Sequence, residues 1–161
     1  MVTTLVFDNC CCNGLDYLDL SRCASVRRVE VGDHCFRGLE EVKLVGLREL
    51  ESVVIGKDCF VQDIGGKDPN RRFCLKSSPS LKELKMDRFS FSDYSVIEIE
   101  NVDALEVIEI GDLNEKSYNF YSASLELRGT PVFKRVMTRH AFPQITHVWR
   151  LGLLWLFTCC V

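Results

Sequence analysis

Nine cysteines and three histidines in 161 residues are the side chains here with the most chemistry in them. Cys10, Cys11, Cys12 and Cys23 have the residue type of a soft-metal site. Adjacent cysteines in an extended run cannot easily turn toward one ion, however, and no Cys-x-x-Cys pair occurs in the chain. Asp33-His34-Cys35 joins the three residue types of thiol catalysis. A base must reach the nucleophile by a hydrogen bond and be held by a third group, which sequence neighbours rarely achieve. His140 and His147 belong to no cluster. There is no phosphate loop, dinucleotide fingerprint or His-Glu-x-x-His run. A thiol-dependent enzyme or metal-binding protein is therefore the minor alternative, and the expectation is a chain without catalytic residues, cofactor or metal.

Composition excludes little else. Hydrophobic residues make up 47% and charged residues 27%, the balance of a chain that buries a core. A net charge of −3, with no block of like charges, gives no reason to expect nucleic acid. The first eight residues lack a basic segment and their apolar run stops at Asp8, so no secretory signal is read there. On that reading the chain is cytoplasmic unless it is a fragment of a surface protein.

The elements that would position any surface are set by a repeat. Val29-Glu30-Val31, Val53-Val54-Ile55, Leu84-Lys85-Met86 and Ile108-Glu109-Ile110 form one family of apolar-x-apolar segments. Leu18-Asp19-Leu20, Val42-Lys43-Leu44, Phe73-Cys74-Leu75, Ile97-Glu98-Ile99 and Leu125-Glu126-Leu127 form a second. From each second segment to the next first segment the step is always 11 residues; from first to second it is 13, stretched to 20 after Val53 and to 17 after Ile108. Leu5-Val6-Phe7 extends the pattern to the start. Val26, Leu50, Leu81 and Leu105 make one further column, and Cys12, Phe36, Phe60, Phe91 and Phe120 another. Alternation within each segment turns one face inward, and a three-residue strand can bury that face only by stacking on copies of itself. The expected fold is a β-rich leucine-rich-repeat solenoid of about five 24-residue coils with two sets of short parallel strands. Cys11, Cys35 and Cys59 share one repeat position beside the aromatic column and are expected to be packed structural thiols. Glycine after the first strand fits a sharp corner that favours positive φ.

Two runs carry a family resemblance: Val26-Arg-Arg-Val-Glu-Val-Gly-Asp-His-Cys-Phe36 and Leu50-Glu-Ser-Val-Val-Ile-Gly-Lys-Asp-Cys-Phe60. Their period, paired strands and phenylalanine resemble the BspA-like class of leucine-rich repeats known from microbial cell-surface antigens, over roughly residues 5 to 136. The resemblance implies a non-catalytic scaffold for protein–protein interaction, of the kind used in adhesion, with no catalytic residue to carry over.

The insertions indicate where a partner would dock. Val61 to Arg72, with Gly65, Gly66, Pro69 and Asn70, has loop composition, as does the run from Asp112 to Tyr118. Both fall in the first-to-second-strand connection and are expected to project from one edge, which in repeat proteins often marks the binding face. Lys67, Asp68, Asn70, Arg71, Arg72 and Tyr118 are the candidate partner-binding residues, for a protein whose identity the sequence does not give. A second expectation concerns the outer face, where stacking makes Lys76, Glu100 and Arg128 neighbours of alternating charge. The domain reading is a solenoid over 1–142 and a non-repeat hydrophobic tail over 143–161. Membrane contact follows only if the apolar run 149–161 is a truncated anchor. The runner-up reading is a purely structural segment of a longer repeat array.

Overall fold

The computed structural model describes residues 2–62, 64, 66–112, 116–121, 123–128, 135–138 and 148–151. Every regular element among them is a strand: β1 (Thr4–Phe7), β2 (Tyr17–Asp19), β3 (Arg28–Val31), β4 (Glu41–Val45), β5 (Ser52–Ile55), β6 (Asp68–Lys76), β7 (Glu83–Met86), β8 (Tyr94–Glu100), β9 (Val107–Ile110), β10 (Ser124–Arg128), β11 (Arg135–Thr138) and β12 (Val148–Leu151). Odd-numbered strands form one six-stranded parallel sheet and even-numbered strands the other, so the chain alternates between two sheets as a β-solenoid. Four turns, Thr4 through Glu106, are described almost continuously, and β9 to β12 extend both ladders. The coil count thus differs slightly from the expected five.

The strand register is the one the sequence columns imply. Val29 pairs with Val53, Val53 with Leu84, Leu84 with Ile108 and Ile108 with Val136 in the first sheet. Leu18, Val42, Phe73, Ile97 and Leu125 pair successively in the second. Beyond Pro143, Val148–Leu151 pairs parallel with β10, and the 142/143 boundary itself lies outside the described residues. In β3, β5, β7 and β9 alternate residues are buried, so the apolar-x-apolar pattern seats one row in the core.

The corner between the sheets is built differently from the sequence expectation. Two non-glycine residues per corner adopt left-handed backbone: His34 and Phe36, Asp58 and Phe60, Phe89 and Phe91, with φ between 55° and 66°. Each such residue costs about 1–2 kcal/mol. The cost is offset twice. Ladder hydrogen bonds continue around the corner, with His34 N–H donating to Lys57 O at 2.8 Å and Phe60 N–H to Cys35 O at 3.0 Å. The left-handed turn also aims the aromatic side chains inward, where Phe36, Phe60, Phe91 and Phe120 stack nearly parallel at centroid spacings of 4.9, 4.6 and 5.1 Å. Those spacings match the strand repeat, so one ladder sets both backbone and aromatic contacts.

Gly32 and Gly56 are not left-handed; of the glycines after first strands, Gly111 alone has positive φ, at 81°. Close approach is what requires them. A Cβ on Gly32 would overlap Asn9 Oδ1 and stand 2.8 Å from Asn9 N, and a Cβ on Gly56 would overlap Asp33 Oδ1. Those side chains occupy the space because they accept the next coil's amides: Asp33 N–H donates to Asn9 Oδ1 and Lys57 N–H to Asp33 Oδ1, both at 2.8 Å.

Candidate functional site

Asp33, His34 and Cys35 do not converge. Asp33 serves the backbone of the next coil, and His34 turns outward with Nδ1 3.3 Å from Asp58 Oδ2. Cys35 is fully buried and donates its S–H to Asp8 O at 3.0 Å. Cys59 repeats this one coil later on Gly32 O at 2.9 Å, and Ser90 and Asn119 take the same position with bonds to Gly56 O at 2.6 Å and Asp87 O at 2.7 Å. The column is therefore one of small donors, each satisfying a carbonyl the corner leaves open. Burial pushes the Cys59 thiol up to about 12 and raises Cys35 as well, which favours the neutral form of both. Cys11 is half-buried. Among the described residues no group of three His, Cys, Asp or Glu side chains is placed to hold a metal ion.

The first insertion is the most distinctive local structure. Its second half is not a loop: Asp68 to Arg72 opens the nine-residue strand β6, with an irregularity in the ladder between Asp68 and Arg72. Arg71 turns inward and is only 1% exposed, which removes it from the expected surface set. Its Nη1 donates to Asp93 Oδ1 at 3.0 Å and its Nη2 to Gln62 Oε1 at 3.2 Å, and its guanidinium lies 5.6 Å from the Tyr94 ring centroid. Nε stands 3.6 Å from Asp68 Oδ2, close enough for charge attraction but too long for a hydrogen bond. Asp93 also accepts from Gln62 N–H at 3.1 Å. Tyr94, buried beneath, donates its hydroxyl to Leu39 O at 2.6 Å, and burial holds that phenol far above its usual range. Ser95 Oγ–H donates to Asp68 O at 2.6 Å, and Asp68 N–H to Asp93 O at 2.9 Å.

Around this anchor Ile64, Lys67, Pro69, Asn70 and Arg72 are exposed and Asp68 is half-buried. Tyr118 belongs to the second insertion. It is half-buried and packs on Phe89 at 6.1 Å and Tyr121 at 5.4 Å. Along the chain the first insertion follows Phe60 and the second precedes Phe120. Gln62, Asp93, Tyr94 and Ser95 went unread in the sequence. Asp93 stands two residues after Phe91, in the column that holds Gly14 and Gly38 in the first coils. A carboxylate replacing glycine there was the available signal.

The outer face of the second sheet carries the expected charge ladder. Lys76 Nζ lies 2.5 Å from Glu98 Oε2 and 3.7 Å from Glu100 Oε2, while Arg128 pairs with Glu126 at 3.0 Å. Lys76 holds the Glu98 carboxyl below its usual range. The depression lined by Lys76, Glu98, Glu100, Glu126 and Arg128 measures about 80 Å³, room for a few waters rather than a metabolite. No described helix is long and apolar enough to cross a membrane. No family model, curated protein or solved structure matches the chain.

Proposed function

We propose that the chain is a non-catalytic scaffold of the BspA-like leucine-rich-repeat type that binds a protein partner through the first insertion, with Ile64, Lys67, Asn70 and Arg72 as the contact set. The observation that carries this reading is the buried Arg71–Asp93 pair beneath that surface. Desolvating two charges offsets most of their attraction, so such a pair is a poor way to gain stability. It does fix geometry: it pins a seven-residue excursion to the neighbouring coil, in a segment that also exposes an apolar Ile64, at 51%, and polar Lys67, Asn70 and Arg72. Prior fixing of a contact surface lowers the ordering cost of binding.

The experiment is affinity capture of partners on the immobilised chain, compared with an Ile64→Ala, Lys67→Ala, Asn70→Ala, Arg72→Ala variant. These side chains are exposed, so the fold should persist. Binding lost in that variant supports the reading; unchanged binding overturns the choice of surface. A second reading, a structural segment of a longer array, draws on exposed Val6, Leu15 and Tyr17 in the first coil. Concentration-dependent self-association abolished by Val6→Asp favours it.

A further inference from the structure

Three thiols of the first two coils lie together: Cys11 Sγ is 3.5 Å from Cys12 Sγ and 3.9 Å from Cys35 Sγ. Cys11 and Cys35 occupy equivalent positions on adjacent coils. Cys10 N–H donates to Asp33 O at 2.8 Å and Phe36 N–H to Cys11 O at 3.1 Å, so the ladder holds the two backbones in register on both sides of them. That register sets the Cα atoms at about the 4.8 Å strand spacing, inside the range a disulfide can bridge. Side-chain rotation alone then brings the sulfurs together. Cys11 and Cys12 are adjacent in sequence, and a bridge between them would close a small ring through a planar peptide, which is strained. Cys59 follows Cys35 in the column, but both are 0% exposed, so of the column's three thiols half-buried Cys11 is the one an oxidant from solvent meets first.

We propose that Cys11 and Cys35 form a reversible thiol-modification site that closes a disulfide between the first and second coils on reaction with a small-molecule disulfide such as glutathione disulfide. In the first step the Cys11 thiolate attacks one glutathione sulfur, the glutathione S–S bond breaks, and one glutathione thiolate leaves. Cys35 then gives up its proton and attacks Cys11 Sγ; the mixed disulfide breaks and a second glutathione leaves. Two protein thiols are oxidised, one glutathione disulfide is reduced to two thiols, and the two thiol protons end on the two glutathiones. Closure also removes the Cys35 S–H donation to Asp8 O, leaving that carbonyl without it. That lost bond favours the open form, and the bridge opens again with a dithiol reductant.

The test uses the full chain carrying Cys10→Ser and Cys12→Ser, so that Cys11 is the one thiol left in its run. Native protein is incubated with glutathione disulfide, remaining thiols are alkylated, and peptides are mapped by mass spectrometry. A Cys11–Cys35 crosslink, forming faster as pH rises and lost on adding dithiothreitol, is expected. Adding Cys35→Ser should abolish the crosslink and leave glutathione on Cys11. Serine is accommodated in this column, since Ser90 already holds it and bonds Gly56 O at 2.6 Å. Glutathione remaining on Cys11 while Cys35 is alkylated, or a crosslink from Cys11 to any other cysteine, would overturn the proposal.

Discussion

Neutralising one member of the Arg71–Asp93 pair should cost far more than a surface ion pair. The two side chains are 1% and 4% exposed, and the guanidinium stands 3.0 Å from the carboxylate. Arg71→Met keeps the volume of the stem but leaves Asp93 as a buried carboxylate without its cation. Breaking such a pair from one side costs about 3–5 kcal/mol, against 0–1 kcal/mol for an exposed pair. Loss of the contact over the Tyr94 ring adds on the order of 1 kcal/mol. Asp93→Asn should cost less, because Asp68 Oδ2 at 3.6 Å still offers the guanidinium a carboxylate and Gln62 N–H keeps an acceptor. The double variant Arg71→Met, Asp93→Asn removes both charges and should recover about 2 kcal/mol or more of the summed loss. Urea unfolding of the four proteins at neutral pH gives the cycle; at this chain length each kcal/mol also moves Tm by about 2–4 °C. Single losses below about 1 kcal/mol that simply add would refute the reasoning. They would show a hydrated pair and an insertion that is not pinned.

Phe60→Ala, in the middle of the aromatic stack, should lose about 3–5 kcal/mol in the same assay, whereas Cys12→Ala in the half-buried first position of that column should lose under about 1.5 kcal/mol. Gly56→Ala should cost about 2 kcal/mol or more by crowding Asp33 Oδ1 and the Gly32 backbone, while Gly38→Ala, with φ of 87° but open space around it, should cost about 1 kcal/mol. Thiols raised to about 12 at Cys59 and about 11 at Cys74 favour their neutral forms in the folded chain. Their contribution is fully present below the unfolded thiol value of 9.0 and is lost as pH climbs toward the folded values. Under reducing conditions the urea midpoint should therefore fall above about pH 9, and Cys59→Ser should lessen that fall.

The strand positions were legible because they rest on a short-range rule. An apolar-x-apolar triplet can bury one face only by stacking, and the 13-plus-11 spacing fixed which triplets stack, hence Val29 on Val53 on Leu84. The corners were less legible. Sequence rules assign left-handed turns to glycine, yet Phe36, Phe60 and Phe91 take them because the inward stack offsets the local cost. Gly32 and Gly56 serve a different purpose, admitting an Asn9 or Asp33 side chain from the neighbouring coil. The insertion was misread for a related reason. Gly, Pro and Asn mark a loop locally, but Arg71 finds Asp93 22 residues onward, and that contact draws Asp68 to Arg72 into the sheet. Arginine counts as a surface residue until its buried partner is known. Lys67, Asn70 and Arg72 keep the exposed side chains their polar character suggested.

The whole fold rests on equivalent residues of successive coils lying one above another in parallel register. Nuclear Overhauser contacts in an isotope-labelled sample test it most directly. Short interstrand contacts are expected linking Val29 to Val53, Val53 to Leu84 and Leu84 to Ile108, together with ring contacts running from Phe36 through Phe60 and Phe91 to Phe120. Antiparallel contacts among the same strands, or phenylalanine rings with no mutual contacts, would contradict it.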